Sequence, residues 1–226
     1  KKIISIMMLM IISLSVYAND IYINQSGATL DLDVTQDGQN NTVGSSSTAS
    51  SVIGATTNLA ITQIGDSNVM TFDVNGATYT GTYSVTGNSN NIDFNCDSGG
   101  SNSSCGTATA SIVWVGSSND IDIDIGETSS ATSATVGITG ASGSDSNTIL
   151  GTIDGNSAIL TLSVNGDTNN FLVDIDGNGD SVGHTYIHTH TGSIADVDIT
   201  QSGIYDNMIT LTTSGDNADI DIIQRD

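Results

Sequence analysis

Two cysteines, three histidines and a long set of aspartates are the residues whose types and spacing could do chemistry. Cys96 and Cys105 bracket a segment made almost wholly of Ser, Gly and Asn. In an exported chain so short a span reads as a local disulfide stapling a loop, with two free thiols as the alternative. A metal pair is disfavoured, because no histidine lies near either cysteine. His184, His188 and His190 share one parity, so a strand would present all three on one face, and imidazole sets of that kind hold Zn²⁺ or Cu²⁺. No fourth ligand is defined, and nothing supplies the outer hydrogen bonds that orient metal-binding imidazoles. The reading adopted is polar residues in an irregular corner, with no metal site.

The aspartates carry more information. Asp31, Asp33, Asp93, Asp120, Asp122 and Asp124, then Asp174, Asp196, Asp198, Asp219 and Asp221, share an outward parity. In stacked strands, at a spacing of about 4.8 Å, some of them face like charges, which is destabilising. Ca²⁺ bridging is one answer, and Ca²⁺ is retained as a candidate partner of the Asp-rich face. The reading preferred is a solvated face that resists sideways clumping and whose repulsion salt screens. No Gly-x-Ser-x-Gly elbow and no phosphate-binding loop occur. A β-helix carbohydrate enzyme using scattered aspartates is the best enzymatic alternative, but no particular carboxylate pair stands out. No catalytic residue is assigned, and no enzyme activity is expected.

What must position these residues is a beat of eleven. Ile153, Val164 and Ile175 recur at that spacing, each followed two residues later by Gly155, Gly166 or Gly177. Between the glycines apolar residues alternate: Ala158, Leu160, Leu162, Val164, then Phe171, Val173, Ile175. Period two marks a half-buried strand, and the glycine marks a turn that needs φ > 0. The pre-turn anchors continue through Gln25 and Gln36, then Val52, Gln63, Val74, Val85 and Cys96. Trp114, Ile125, Ile138, Tyr186, Gln201, Thr213 and Gln224 complete the series. An asparagine often follows three residues after the glycine, as at Asn41, Asn68, Asn90, Asn119 and Asn169. Strand and turn repeated at a fixed period define a solenoid. The expected fold is therefore all-β: stacked two-strand coils forming two parallel sheets around a thin core, each rung burying its face against its neighbours.

Residues 1–18 stand apart. Lys1 and Lys2, an apolar run from Ile3 to Leu14 and the exit Val16-Tyr17-Ala18 read as a secretory signal peptide. Its apolar run is too short to span a bilayer, so the mature chain is expected to be secreted and free of the membrane. Its removal takes the formal charge from −22 to −24 and leaves Arg225 as the one basic side chain. Phosphate backbones would be repelled, which excludes nucleic acid as a partner. Residues 19–226 form one repeat domain, with corner insertions expected near 44–51, 97–106, 127–147 and 183–193.

The phrase Gln-x-Gly-x-x-Asn-x-apolar with a closing Gln resembles the curlin repeat of curli amyloid subunits, which are secreted bacterial surface fibres. Residues 19–36 match at Gln25, Gly27, Leu32 and Gln36, and residues 63–74 at Gln63, Gly65, Asn68 and Met70. Gln201 and Gln224 supply both end glutamines of the last repeat, and a looser form of the pattern covers most of 19–226. The middle departs from it: Val85, Ile153, Val164, Ile175 and Trp114 replace Gln, and the leading Ser is missing. The resemblance implies a fibre subunit polymerising end to end by templated strand pairing, with an export apparatus or nucleator as further partner. It implies a core ladder of Gln25, Gln36, Gln63, Gln201 and Gln224, whose amides can pair between rungs. The faces a neighbour would meet are then Ile21, Ile23, Leu32 and Val34 at one end and Ile220 and Ile222 at the other. The alternative is a monomeric or trimeric adhesin or phage-type fibre that binds surface glycans.

Overall fold

The computed structural model describes residues 20–225 apart from residues 39, 45–48, 66, 88, 97–104, 117–118, 127–132, 142–146, 156, 167–168, 177–183, 194 and 204–206. The leader expected over 1–18 and most of the expected 97–106 insertion lie outside these residues.

The strands in chain order are β1 (Asp20–Ile21), β2 (Asn24–Asp37), β3 (Thr42–Val43), β4 (Ser50–Ile64), β5 (Val69–Asn75), β6 (Thr78–Thr86), β7 (Asn91–Cys96), β8 (Thr107–Val115) and β9 (Asp120–Ile125). They continue as β10 (Ser133–Gly140), β11 (Asn147–Asp154), β12 (Ala158–Asn165), β13 (Asn169–Asp176), β14 (Thr185–Thr191), β15 (Ala195–Ser202), β16 (Met208–Ser214) and β17 (Ala218–Arg225). Every pairing is parallel, and each strand pairs with the next but one in sequence, with the start of β4 pairing also with β5. Even-numbered strands therefore stack as one sheet, sheet I, and odd-numbered strands as the other, sheet II. The chain is an all-β solenoid built from parallel sheet. β2 and β4 are long because they round a corner without a break. Their first residues pair in sheet II (Gln25↔Val52, Val52↔Val74) and their later residues in sheet I (Gln36↔Gln63).

Alternation puts the core between the sheets. Along β9, Ile121, Ile123 and Ile125 are buried while Asp120 is exposed and Asp122 and Asp124 are half-buried on the outer side. Bulk is balanced across rungs. Tyr79 stacks on Phe94 at 5.1 Å between ring centroids, and Tyr83 tilts against Phe72 at 5.9 Å. The Tyr79 and Tyr83 hydroxyls touch, and Gly81 between them leaves the volume their rings fill. The turn glycines answer to stacking as well as to dihedral freedom. At Gly65 φ is 151°, and an added Cβ would overlap the carbonyl oxygen of Gly38 one rung below. Gly87 stands over Gly65, and Gly116 over Gly87, in the same close approach.

The anchors form two columns. One runs Gln25, Val52, Val74, Cys96, Ile125, Ile153, Ile175, Gln201, Gln224 in sheet II. The other runs Gln36, Gln63, Val85, Trp114, Gly140, Val164, His190, Thr213 in sheet I. Two expected anchors are thereby corrected. Ile138 pairs with Ile112, two residues short of the column, and Tyr186 pairs with Leu160. Gly140 and His190 hold the anchor positions instead, because Trp114 fills the space at one and the histidine ring turns inward at the other.

Two expected insertions are corrected as well. The 127–147 stretch contains β10, a full rung paired on both edges, and the 183–193 stretch contains β14, likewise paired with β12 and β16. Their inward residues include Gly140, His188 and His190, so apolar alternation under-reports two regular strands.

Candidate assembly interface

The described chain ends at two open rims. Hydrogen bonding alternates along each strand: outward residues donate back toward the preceding rung, as Thr148 N to Asn119 O (2.9 Å) and Met208 N to His184 O (2.9 Å). Inward residues donate forward, as Ala134 N to Ser157 O (3.0 Å). By the same alternation Ile220, Ile222 and Gln224 turn their backbone N–H groups to the free edge of β17. Their side chains point along the core column yet remain uncovered, Ile220 being 39% and Ile222 46% exposed. At the opposite rim Ile21, Ile23, Leu32 and Val34 pack on the core with one side open, and at the β17 rim Ile209 and Leu211 on β16 do the same. The six interface residues expected from sequence thus lie on the two terminal faces. Leu30, Ile209 and Leu211 belong with them and were missed, because they stand outside the matched motif positions.

The five glutamines do not make one ladder. Gln36 and Gln63 are bonded, Nε2 of Gln63 donating to Oε1 of Gln36 at 2.7 Å in full burial. Gln25 lies in the other sheet, over Val52. Gln201 and Gln224 share Gln25's column but sit at its far end, with aliphatic residues and Cys96 between. Gln201 is fully buried, and its amide has no hydrogen-bond partner among the described residues. Gln224 Nε2 donates to the Asn207 carbonyl at 2.6 Å. Period-eleven reasoning could not separate the columns, since successive anchors alternate between sheets.

The longer polar column is asparagine, bonded amide to amide over Asn119, Asn147 and Asn169. Asn41, Asn68, Asn90, Asn119, Asn147 and Asn169 are all buried at the start of successive sheet II rungs. Nδ2 of Asn119 donates to Oδ1 of Asn147 (2.9 Å), and Nδ2 of Asn147 donates to Oδ1 of Asn169 (2.7 Å). The amides also close the turns, as Asn169 Nδ2 to Gly166 O (2.7 Å) and Asn119 Nδ2 to Gly116 O (3.1 Å). Asn147 was missed in the sequence because no turn glycine lies three residues before it. Trp114 Nε1 donates to its Oδ1 at 3.2 Å, tying the sheet I anchor column to the asparagine column.

Cys96 and Cys105 are joined as a disulfide with their Cα atoms 5.6 Å apart. Both are buried, Cys96 within the anchor column between Val74 and Ile125. His188 and His190 point inward from β14, and His184 just before it is buried as well, which corrects the irregular corner. His188 Nδ1 meets the Tyr186 hydroxyl at 3.0 Å, its ring stands edge-on to Phe171 at 4.5 Å, and His190 Nε2 lies 2.7 Å from Asn169 Nδ2. Burial, with His190 beside it, lowers the His188 pKa to about 4. Among the described residues no group of three His, Cys, Asp or Glu is arranged to hold a metal ion.

The aspartates point outward, but not onto one face. Asp31 and Asp33 lie outside sheet I, whereas Asp93, Asp120, Asp122, Asp124, Asp174, Asp196, Asp198, Asp219 and Asp221 lie outside sheet II. Asp93 stacks on Asp122, Asp196 on Asp219 and Asp198 on Asp221. Partial burial raises the pKa of Asp93, with Asp73 and Asp120 adding to the rise, and burial followed by Asp176 raises that of Asp174.

This class of molecule, a parallel β-solenoid with uncovered rims, is as far as the fold and its surfaces lead. The chain matches no protein-family model, no curated protein and no solved structure.

Proposed function

We propose that the chain is the structural subunit of an exported, curli-like extracellular fibre, polymerising end to end by parallel strand pairing, without enzymatic activity. The observation that carries this reading is the pair of open rims. Backbone donors on β17 face outward with Ile220 and Ile222 exposed beside them. An edge of that kind is a template for another strand, and natural monomers usually blunt it with proline, charge or a cap. The chain contains no proline. Acidic outer faces oppose lateral association, so growth runs along the axis and quickens with salt as like charges are screened. The fibre's other partners are an export apparatus or a nucleator.

The test is fibre formation by the chain lacking residues 1–18, followed by light scattering and electron microscopy across concentration and salt. Ile220→Pro removes one free-edge N–H and places a ring where the next strand would sit. The β15–β17 ladder does not use that N–H, so this variant should fold and elongate at least tenfold more slowly. A parent chain that stays monomeric, or a proline variant that grows at the parent rate, refutes the reading.

A surface-binding solenoid is the second reading. The outer face of sheet I carries ranks of exposed threonine, among them Thr78, Thr80, Thr82, Thr107 and Thr109. Hydroxyls in register at about 4.8 Å suit a repetitive polar ligand such as a glycan, and glycan binding by a strictly monomeric chain would favour it.

A further inference from the structure

We infer that successive copies in the fibre are related by a half-turn about the solenoid axis, so that β17 of one copy pairs with residues 29–37 of the next. The inference rests on the end-to-end reading above, taken for the chain of residues 19–226 that the fibre test uses. It follows from the parity of the strands. Among the described residues seventeen strands are distributed as eight even-numbered ones in sheet I and nine odd-numbered ones in sheet II. The described residues both start and finish in sheet II, so they span a half-integral number of coils.

Stacking a second copy without rotation sets sheet II on sheet II and leaves sheet I one strand short. β16 would then face residues 29–37 of the neighbour across about 10 Å, twice the rung spacing, with Leu211 and Val34 uncovered. Rotation by half a turn removes the gap. Residues 20–27 of the neighbour then continue sheet I on β16, and its residues 29–37 continue sheet II on β17.

The side chains agree with this register. Setting anchor on anchor places Gln224 over Gln36, Ile222 over Val34 and Ile220 over Leu32. On the other sheet Leu211 meets Ile23 and Ile209 meets Ile21. Gln36 already bonds Gln63, so Gln224 would lengthen that amide ladder by one step. Outside, Arg225 comes over Asp37. That is the one basic residue of the exported chain set against a carboxylate, whereas the unrotated joint would place it over Ser26. Asp219 and Asp221 come over Asp31 and Asp33, repeating the like-charge stacking already present between β15 and β17.

Cysteine pairing separates the two joints. Ile223 and Thr35 are outward-facing partners in the rotated joint, whereas Ile223 and Asn24 are partners in the unrotated one. Neighbouring Cα atoms in either pair would be within disulfide range. Fibres of the Ile223→Cys, Thr35→Cys double variant, oxidised with the Cys96–Cys105 bond intact, should run as a covalent ladder on a non-reducing denaturing gel. Those of Ile223→Cys, Asn24→Cys should not. As a second measurement, Arg225→Asp should slow elongation about threefold, the scale of an exposed ion pair, and Asp37→Arg in the same chain should restore the rate. Cross-linking through Asn24 but not Thr35, or abundant fibres cross-linked by neither pair, overturns the half-turn while leaving the fibre standing. A parent chain that forms no fibres overturns both.

Discussion

Trp114 and Gly140 are register partners on adjacent rungs, and the indole of Trp114 occupies the volume that a side chain at Gly140 would need. Gly140 is thus specified by its neighbour's bulk. Gly140→Val should destabilise by about 1–3 kcal/mol through overpacking, and the pair Trp114→Leu, Gly140→Val should recover part of the loss. Chemical denaturation of the monomer, at concentrations below those that form fibres, measures both. Additive losses in the double variant would show that the two residues do not share one volume.

Parity along β12 makes a sharper comparison. Val164 is buried in the anchor column and Ser163 faces solvent. Val164→Asp strands a carboxylate in the core and should cost roughly 3 kcal/mol or more, while Ser163→Asp should change stability by about 0.5 kcal/mol or less. Similar melting temperatures for the two variants would contradict the register.

The Cys96–Cys105 bond closes a short loop, so replacing both residues by alanine should cost about 2–3 kcal/mol. The alternating strands on either side should persist, giving an unchanged far-ultraviolet spectrum. Secreted protein should take up no alkylating reagent until it is reduced. Alkylation of two thiols without reductant would show the bond to be absent.

His188 gives the protein an acid-sensitive limb. Its folded pKa is lowered to about 4 from an ordinary 6.5. Between those values the unfolded chain binds a proton that the folded chain refuses. Stability is therefore complete above 6.5, falls as pH drops toward 4, and levels off below. The loss is about 3 kcal/mol at roughly 1.4 kcal/mol per pKa unit. Asp93 and Asp174 act in the opposite sense, because their raised pKa values let the folded state take up protons first as pH falls. Denaturation midpoints at pH 7 and 4.5 should differ in the parent. In His188→Leu they should nearly coincide, though at lower overall stability, since Tyr186 loses its hydrogen-bond partner. An undiminished difference would place the sensitive group elsewhere.

The sequence alone determined the strands, their inward parity and the stacked coil. Each of those is a local property: alternation fixes which side of a strand is apolar, and a glycine every eleven residues fixes where the chain turns. Ile121, Ile123 and Ile125 with their intervening aspartates needed no tertiary information to be placed in and out. The asparagines after the turns were visible too, though their amide ladder was not. Only the tertiary structure decided which residues share a column, because that depends on register between strands more than twenty residues apart. It moved Ile138 and Tyr186 off the anchor positions, put Gly140 under Trp114 and turned three histidines into the core. It also split the five glutamines between two sheets. A residue whose place is set by the bulk of a neighbour one rung away leaves no periodic mark of its own. The odd number of strands among the described residues, where the sequence suggested only a repeat, is likewise a property of the stack.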